Sequence, residues 1–213
     1  KVMKNLHFGG SSDIALKLAQ CIKNTDAVSS KKINKPYTKI FKIKNYNFVS
    51  MGKLEKEITD KYDNILIFNG SYSSSFLSMF NRKNFINDFE INFLIPMEIS
   101  TFVIQKNILK KNGAIYFISS IAANEDKIGN ASYSISKNAL NFSSKILSNE
   151  QKKRNIRVNS IVLGLIENEM GIKAKRITNS NKKFVPLNKL IKRIQIILKD
   201  KDINKKIIKF SDD

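Results

Sequence analysis

Residues 119–140 read SSIAANEDKIGNASYSISKNAL and place a hydroxyl, a phenol and an ammonium in order: Ser120 at the end of an apolar run, then Tyr133 and Lys137. The run itself, AIYFIS (Ala114–Ser119), has the length and apolar character of a buried strand. The residues from Ser132 to Leu147 carry a helical pattern. Tyr133 and Lys137 stand four apart, so on a helix they share one face. A neighbouring positive charge favours an ionised phenol and lowers its pKa, which suits proton exchange near neutral pH. Taken singly, each of these residues is an ordinary surface group. Their order after a strand makes them a candidate proton-transfer site.

The alternation of strand and helix extends outward in both directions. NLHF (Asn5–Phe8), NILIF (Asn64–Phe68) and IRVNSIVL (Ile156–Leu163) read as strands. A short strand is expected at Ala27–Ser29 and a weaker one near Asn47–Val49. Between them, Asp13–Asn24 holds Ile14, Ala15, Leu18, Ala19 and Ile22 at helical spacing. Phe89–Leu109 reads as a long apolar helix kinked at Pro96. The tail from Gly171 holds a polar loop, a helix near Leu187–Leu198 and a last strand in KKIIKF. Continuous apolar strands separated by helices mark a parallel sheet covered on both faces. With no linker or break in composition, residues 1–213 read as one α/β domain.

Composition narrows the chemistry. The 213 residues include one cysteine, Cys21, and one histidine, His7, too few for the usual nitrogen and sulfur ligands of zinc. A serine–histidine hydrolase would rest on His7, which has no motif around it. A lone cysteine and no visible secretory signal point to a cytoplasmic protein. The opening KVMKNLHFGG starts a strand almost at once, so little is expected to precede the fold. No apolar run approaches the ~20 residues of a membrane helix. The net charge of +20 asks for an anionic partner, but only five of the 38 basic residues are arginine and the lysines are spread along the chain. Solvated surface is the better reading than a nucleic-acid stripe, while acidic small molecules or carrier proteins still feel the field.

In an open parallel sheet, ligands bind at the carboxyl ends of the strands, and a glycine-bearing turn after the first strand takes phosphate. Here that turn is FGGSSDIA, Phe8–Ala15. Gly9 and Gly10 allow close approach, Ser11 and Ser12 offer hydroxyls, and Asp13 is placed to cap the helix that follows.

This turn, NILIFNG, EINF, FISSIA, Tyr-x-x-x-Lys and IRVNSIVLG occur in the order and spacing of the short-chain dehydrogenase/reductase family, which the chain resembles from about residue 5 to residue 170. The resemblance implies a Rossmann-like, doubly wound, mainly parallel sheet of about seven strands with helices on both faces, binding NAD or NADP. It implies a catalytic set of Asn92, Ser120, Tyr133 and Lys137. Tyr133 would donate a proton to a carbonyl oxygen held by Ser120, Asn92 would hold a water reaching Lys137, and Lys137 would also touch the nicotinamide ribose. It implies cofactor contacts from Gly9, Ser11, Ser12, Ile14, Asn69, Gly70, Tyr133, Lys137, Gly164, Ile166 and Asn168. It further implies a homodimer or homotetramer built on the helices that carry Asn92 and Tyr133.

The chain also departs from the family. Asp13 and Ala15 replace two of three glycines in the phosphate turn, Asn-Asn-Ala-Gly becomes Ile67-Phe68-Asn69-Gly70, and Leu163-Gly164 stands for Pro-Gly. Asn168 replaces a threonine, and KFSDD lacks the glycine pair of the last strand. These changes keep open a second reading, a degenerate member of the same fold acting as a binding or assembly protein. No acid lies between Asp26 and Glu55, while Lys31 and Lys32 follow the second strand, so NADP(H) is expected ahead of NAD(H). The segment expected to meet substrate, LIENEMGIKAKRITNSNKKFVPL (Leu165–Leu187), is polar and basic. It leans toward a 3-oxoacyl thioester, as in 3-oxoacyl-acyl-carrier-protein reductases, or a sugar-type carbonyl.

Overall fold

The apolar runs become the strands of a seven-stranded parallel sheet in the computed structural model, which describes residues 2–34 and 36–210. In chain order the strands are β1 (Asn5–Phe8), β2 (Thr25–Ser29), β3 (Ile40–Lys42), β4 (Tyr62–Ile67), β5 (Leu109–Ser120), β6 (Arg157–Leu163) and β7 (Ile207–Phe210). The helices are α1 (Asp13–Cys21), α2 (Phe48–Leu54), α3 (Arg82–Phe89), α4 (Ile95–Gln105), α5 (Ala131–Glu150), α6 (Glu169–Ile177) and α7 (Leu187–Lys199). Spatial order is β3-β2-β1-β4-β5-β6-β7, every pair parallel. The order reverses between β1 and β4, and a crevice opens at such a switch.

Every residue of β1 and β6 is buried, as in a sheet covered on both faces. Alternate side chains feed two cores. Ile65, Ile67, Ile115 and Phe117 pack with Met51 of α2, with Ile99 and Phe102 of α4 and with Leu140 of α5. Leu66, Tyr116 and Ile161 pack with Leu18 of α1 and with Leu190 and Ile194 of α7. At the amino edge of the sheet, buried Asp26 accepts from Tyr62 Oη at 2.7 Å and Lys39 N–H at 3.0 Å and pairs with Lys4 at 3.3 Å.

Several boundaries differ from the sequence reading, each for a local reason. The strand expected near Asn47–Val49 is the start of α2, because the Asn47 side chain accepts from Ser50 N–H and caps a helix. The third strand lies earlier, where Ile40–Lys42 pairs with β2. The long helix expected over Phe89–Leu109 is α3, a π-helical turn at Glu90–Leu94, and α4. Pro96 has no N–H for the carbonyl of Asn92, and the wider turn accommodates that gap, with Ile95 N–H donating to Glu90 five residues back. Ser12 rather than Asp13 caps α1, its Oγ accepting from Ala15 N–H at 3.2 Å. The segment expected to open the tail as a polar loop contains α6, capped by Asn168, with Glu169 in its first turn and Lys175 and Arg176 in its last. The final residues of KFSDD, 211–213, lie outside the described residues.

Candidate active site

The carboxyl ends of β4, β5 and β6 surround a cavity of about 170 Å³, walled by α6 and the segment around Ser180. Of the residues singled out in the sequence, Ser12, Ile14, Asn69, Gly70, Ser120, Tyr133, Lys137, Gly164, Ile166 and Asn168 line it. Asn92 lies buried behind the lining. Gly9, Ser11, Lys31 and Lys32 do not line it, and Lys31 and Lys32 are exposed on the connection after β2.

Lys137 enters from α5 into a buried position, and its Nζ donates to the Ile118 carbonyl of β5 at 3.0 Å. Asn92 is fully buried on the π-helical turn, and its Oδ1 accepts from Ser71 N–H at 3.0 Å. The two groups meet at Gly70, where a Cβ would lie 3.3 Å from both Asn92 Oδ1 and Lys137 Nζ. Glycine at 70 therefore lets the chain leaving β4 pass between amide and ammonium. Asn92 Nδ2, Asn69 Oδ1 and Ser71 Oγ are buried with no hydrogen-bond partner among the described residues. Orphaned polar atoms beside a cleft can be met by water or by a polar ligand.

Tyr133 lies on the same face of α5 as Lys137, whose Nζ is 6.0 Å from the phenol ring centre. The expected lowering of the phenol pKa by this lysine is not what the geometry gives. Burial pushes the Tyr133 pKa up, the Ser120 hydroxyl beside it pulls the other way, and buried Asp88 adds to the upward push. The ammonium is engaged with Ile118, so desolvation wins and the phenol stays protonated. Desolvation likewise lowers the Lys137 pKa, to about 8.

Three groups had no motif to mark them. Tyr72 packs edge-on against Tyr133 at 5.2 Å and donates to Asn130 Oδ1 at 2.7 Å, fixing one side of the phenol. Asp88 accepts from Ser73 Oγ at 2.6 Å and from Ser132 Oγ, tying α3 to the start of α5. Tyr46 and Tyr37 reach the phosphate turn itself. Gly9 N–H donates to Tyr46 Oη at 3.0 Å, and Tyr37 Oη donates to the Gly10 carbonyl at 2.7 Å. Their only sequence signal is being aromatic in a polar stretch. At the cavity rim, Lys182 pairs with Glu125 at 2.7 Å and Lys127 donates to Ser180 Oγ at 3.1 Å. These contacts strap the 165–187 segment to the loop before α5.

A serine ending β5, a Tyr-x-x-x-Lys pair on α5 and an asparagine on the π-helical turn thus come together at the carboxyl ends of the parallel strands, beside the β1–β4 switch point. The family model described as short chain dehydrogenase matches residues 26–178, and the chain belongs to that family. Carbonyl reductase family member 4 of Xenopus tropicalis is 31% identical over 139 residues, covering 63% of this chain and 57% of the frog protein. The chain thus aligns with little more than half the length of that curated relative. Among solved structures, a short chain dehydrogenase family protein from Francisella tularensis subsp. tularensis SCHU S4 superposes with a TM-score of 0.85 at 16% identity, covering 99% of this chain and 97% of that one. A small-chain dehydrogenase in complex with NADPH gives a TM-score of 0.79 at 16% identity, covering 99% and 97%. These two likenesses show a shared fold.

The depressed Lys137 pKa makes a prediction with a definite sign. Between about pH 8 and the ordinary value of 10.5, the unfolded chain binds more protons at Lys137 than the folded chain does. Stability then rises with pH. Across that window the parent should gain stability relative to Lys137→Met, by up to about 1.4 kcal/mol per pH unit. Urea denaturation of both proteins at several pH values measures the difference, and a constant gap would show that Lys137 does not titrate there.

Proposed function

We propose that this cleft catalyses reversible reduction of a carbonyl to an alcohol with a nicotinamide cofactor, NADP(H) in preference to NAD(H). The observation that carries this reading is the convergence of Ser120, Tyr133 and Lys137 on one cavity lined also by Asn69 and Ser71, each with a buried polar atom lacking a partner among the described residues, and with Asn92 behind it. Those residues fit the nicotinamide end of a dinucleotide: Lys137 and Asn69 can bond its ribose, and Ile14 and Ile166 can flank its ring. When bound, the nicotinamide supplies or accepts a hydride at the carbonyl carbon.

The chain's own residues handle the oxygen. Ser120 donates a hydrogen bond to it, and Tyr133 delivers a proton from Oη as the alcohol forms. Burial keeps that phenol protonated, which is the state a donor needs. The Lys137 ammonium, next to Asn92 across Gly70, offers the proton that restores Tyr133. In the reverse direction the same atoms take the proton away.

The NADP(H) preference rests on charge. Asp26, the acid nearest the end of β2, is at the amino edge and consumed by Tyr62 and Lys4, leaving Lys31 and Lys32 beyond β2. The net charge of +20, with Lys127 on the cavity rim and Lys182 there paired to Glu125, favours an anionic or polar substrate, such as a 3-oxoacyl thioester on an acidic carrier or a sugar-type carbonyl. Cys21 is a free thiol, in keeping with a reducing cytoplasm. Among the described residues no helix is long and apolar enough to cross a membrane. The second reading, a non-catalytic protein of the same fold, is favoured by one observation: the Gly9 N–H that would meet a phosphate already has a partner in Tyr46.

An exposed apolar stripe supports self-assembly. Ile135, Phe142 and Ile146 share one face of α5 and are 42%, 63% and 44% exposed, with Leu94 of the π-helical turn also exposed. Covering them in a homodimer or homotetramer removes that surface from water.

Titration with NADPH and NADH, followed by nicotinamide fluorescence, should give tighter binding for NADPH; equal or tighter NADH binding overturns the preference. With a substrate found among 3-oxoacyl thioesters, keto sugars and diketones, Tyr133→Phe should lower turnover about 10²–10⁴-fold while leaving the melting temperature unchanged. Turnover at the parent rate removes Tyr133 from the chemistry. Light scattering at micromolar concentration should report a dimer or larger, and Phe142→Asp should shift it toward monomer. A parent that is already monomeric overturns the assembly.

A further inference from the structure

A dinucleotide lying across a switch point needs two free ends: one for the nicotinamide, the other over the phosphate turn and the end of β2. In this chain the second end is filled from within. Tyr46, on the connection between β3 and α2, packs its ring against the core that holds Phe8, Val28 and Met51, and its hydroxyl reaches the ends of β1 and β2. Its Oη accepts from Gly9 N–H at 3.0 Å and donates to the Val28 carbonyl at 2.8 Å. Gly9 follows β1 directly and Val28 is its neighbour's partner in β2, so the phenol oxygen bridges the two strand ends where the crevice begins. Asn69, leaving β4, and Ser30, leaving β2, also lie against that oxygen. Burial pushes the Tyr46 pKa up to about 12, so it is a neutral hydroxyl that both donates and accepts.

A second phenol closes the same end. Tyr37 donates to the Gly10 carbonyl at 2.7 Å and packs edge-on against His7 with ring centres 5.6 Å apart. Gly10 is itself held tight, since a Cβ there would lie 2.7 Å from Ala27 Cβ and 3.3 Å from Tyr37 Oη. The cavity accordingly begins at Ser12 and runs toward β6, without Gly9, Gly10 or Tyr46 in its lining.

We propose that Tyr46 is a specificity-determining residue that occupies the adenosine end of the dinucleotide crevice and competes with that half of the cofactor. The inference rests on the nicotinamide-binding reading above and goes beyond it. The nicotinamide mononucleotide portion enters an open cavity, whereas the adenosine portion enters only as Tyr46 gives up its bonds to Gly9 and Val28. Affinity for the whole dinucleotide is thereby set close to that for the mononucleotide, and the phosphate turn is held in one shape before ligand arrives.

The test titrates reduced nicotinamide mononucleotide and NADPH into the parent, Tyr46→Phe and Tyr46→Ala, with fluorescence and calorimetry as readouts. Tyr46→Phe keeps the packing and loses both hydrogen bonds, so it decides the matter even if Tyr46→Ala folds poorly. It should bind NADPH about 5- to 100-fold more tightly, the range that one or two net hydrogen bonds correspond to, with mononucleotide affinity unchanged within about twofold. Unchanged or weaker NADPH binding by Tyr46→Phe, with the mononucleotide still bound by the parent, overturns this proposal and leaves the nicotinamide reading standing. Failure of all three proteins to bind either ligand overturns both. An equal gain for mononucleotide and dinucleotide also overturns it, because Tyr46 would then act on the whole cleft rather than its adenosine end.

Discussion

A proline that cannot donate a hydrogen bond governs the geometry of the cleft. Pro96 leaves the Asn92 carbonyl without its helical donor, and the helix answers with one wide turn between α3 and α4. Asn92 sits in that turn with its amide turned inward, where Oδ1 holds Ser71 N–H and so fixes the chain as it leaves β4. Gly70, one residue earlier, then has just enough room between that amide and the Lys137 ammonium. Lys137 in turn is tethered to β5 through the Ile118 carbonyl. One missing N–H thus links two helices and two strands at the point where the chemistry is expected.

The electrostatics follow from burial rather than from charge pairing. Tyr133 and Lys137 are both removed from water, so each is driven toward its neutral form: the phenol keeps its proton and the ammonium holds its own less firmly. Removal from water thus fixes the phenol in its protonated form and loosens only the lysine's proton. The carboxylate nearby, Asp88, is occupied by serine hydroxyls, and its negative charge strengthens the phenol's hold on hydrogen.

Much of this was legible in the sequence because it depends on short-range pattern. AIYFIS and IRVNSIVL became β5 and β6 since continuous apolar runs have one comfortable place in an α/β fold, and Leu187–Leu198 became α7 almost to the residue. The candidate quartet stood out in the sequence because its spacing reflects strand ends and helix faces, and the fold brings Ser120, Tyr133 and Lys137 to one cavity with Asn92 buried behind it. What escaped depends on contacts distant in sequence or on caps. Asn47 read as part of a strand because its side chain's bond to Ser50 N–H is invisible to an apolar count. The helix over 169–177 was hidden by its polar composition, although Asn168, Glu169 and Arg176 carry the cap and dipole signals. Tyr46 and Gly9 are 37 positions apart, and no local rule brings them together.

Gly171 carries a lesson for redesign. A Cβ built there would lie 1.9 Å from the Ile166 carbonyl oxygen, so α6 presses its first turn onto the loop leaving β6 as closely as backbone allows. Any residue but glycine brings that Cβ, so α6 and the loop must part to admit it. Gly171 also lines the cavity, so the closeness of this contact bears directly on the cavity wall. Redesign of that wall has a natural starting point in this single codon, away in sequence from Tyr133 and Lys137.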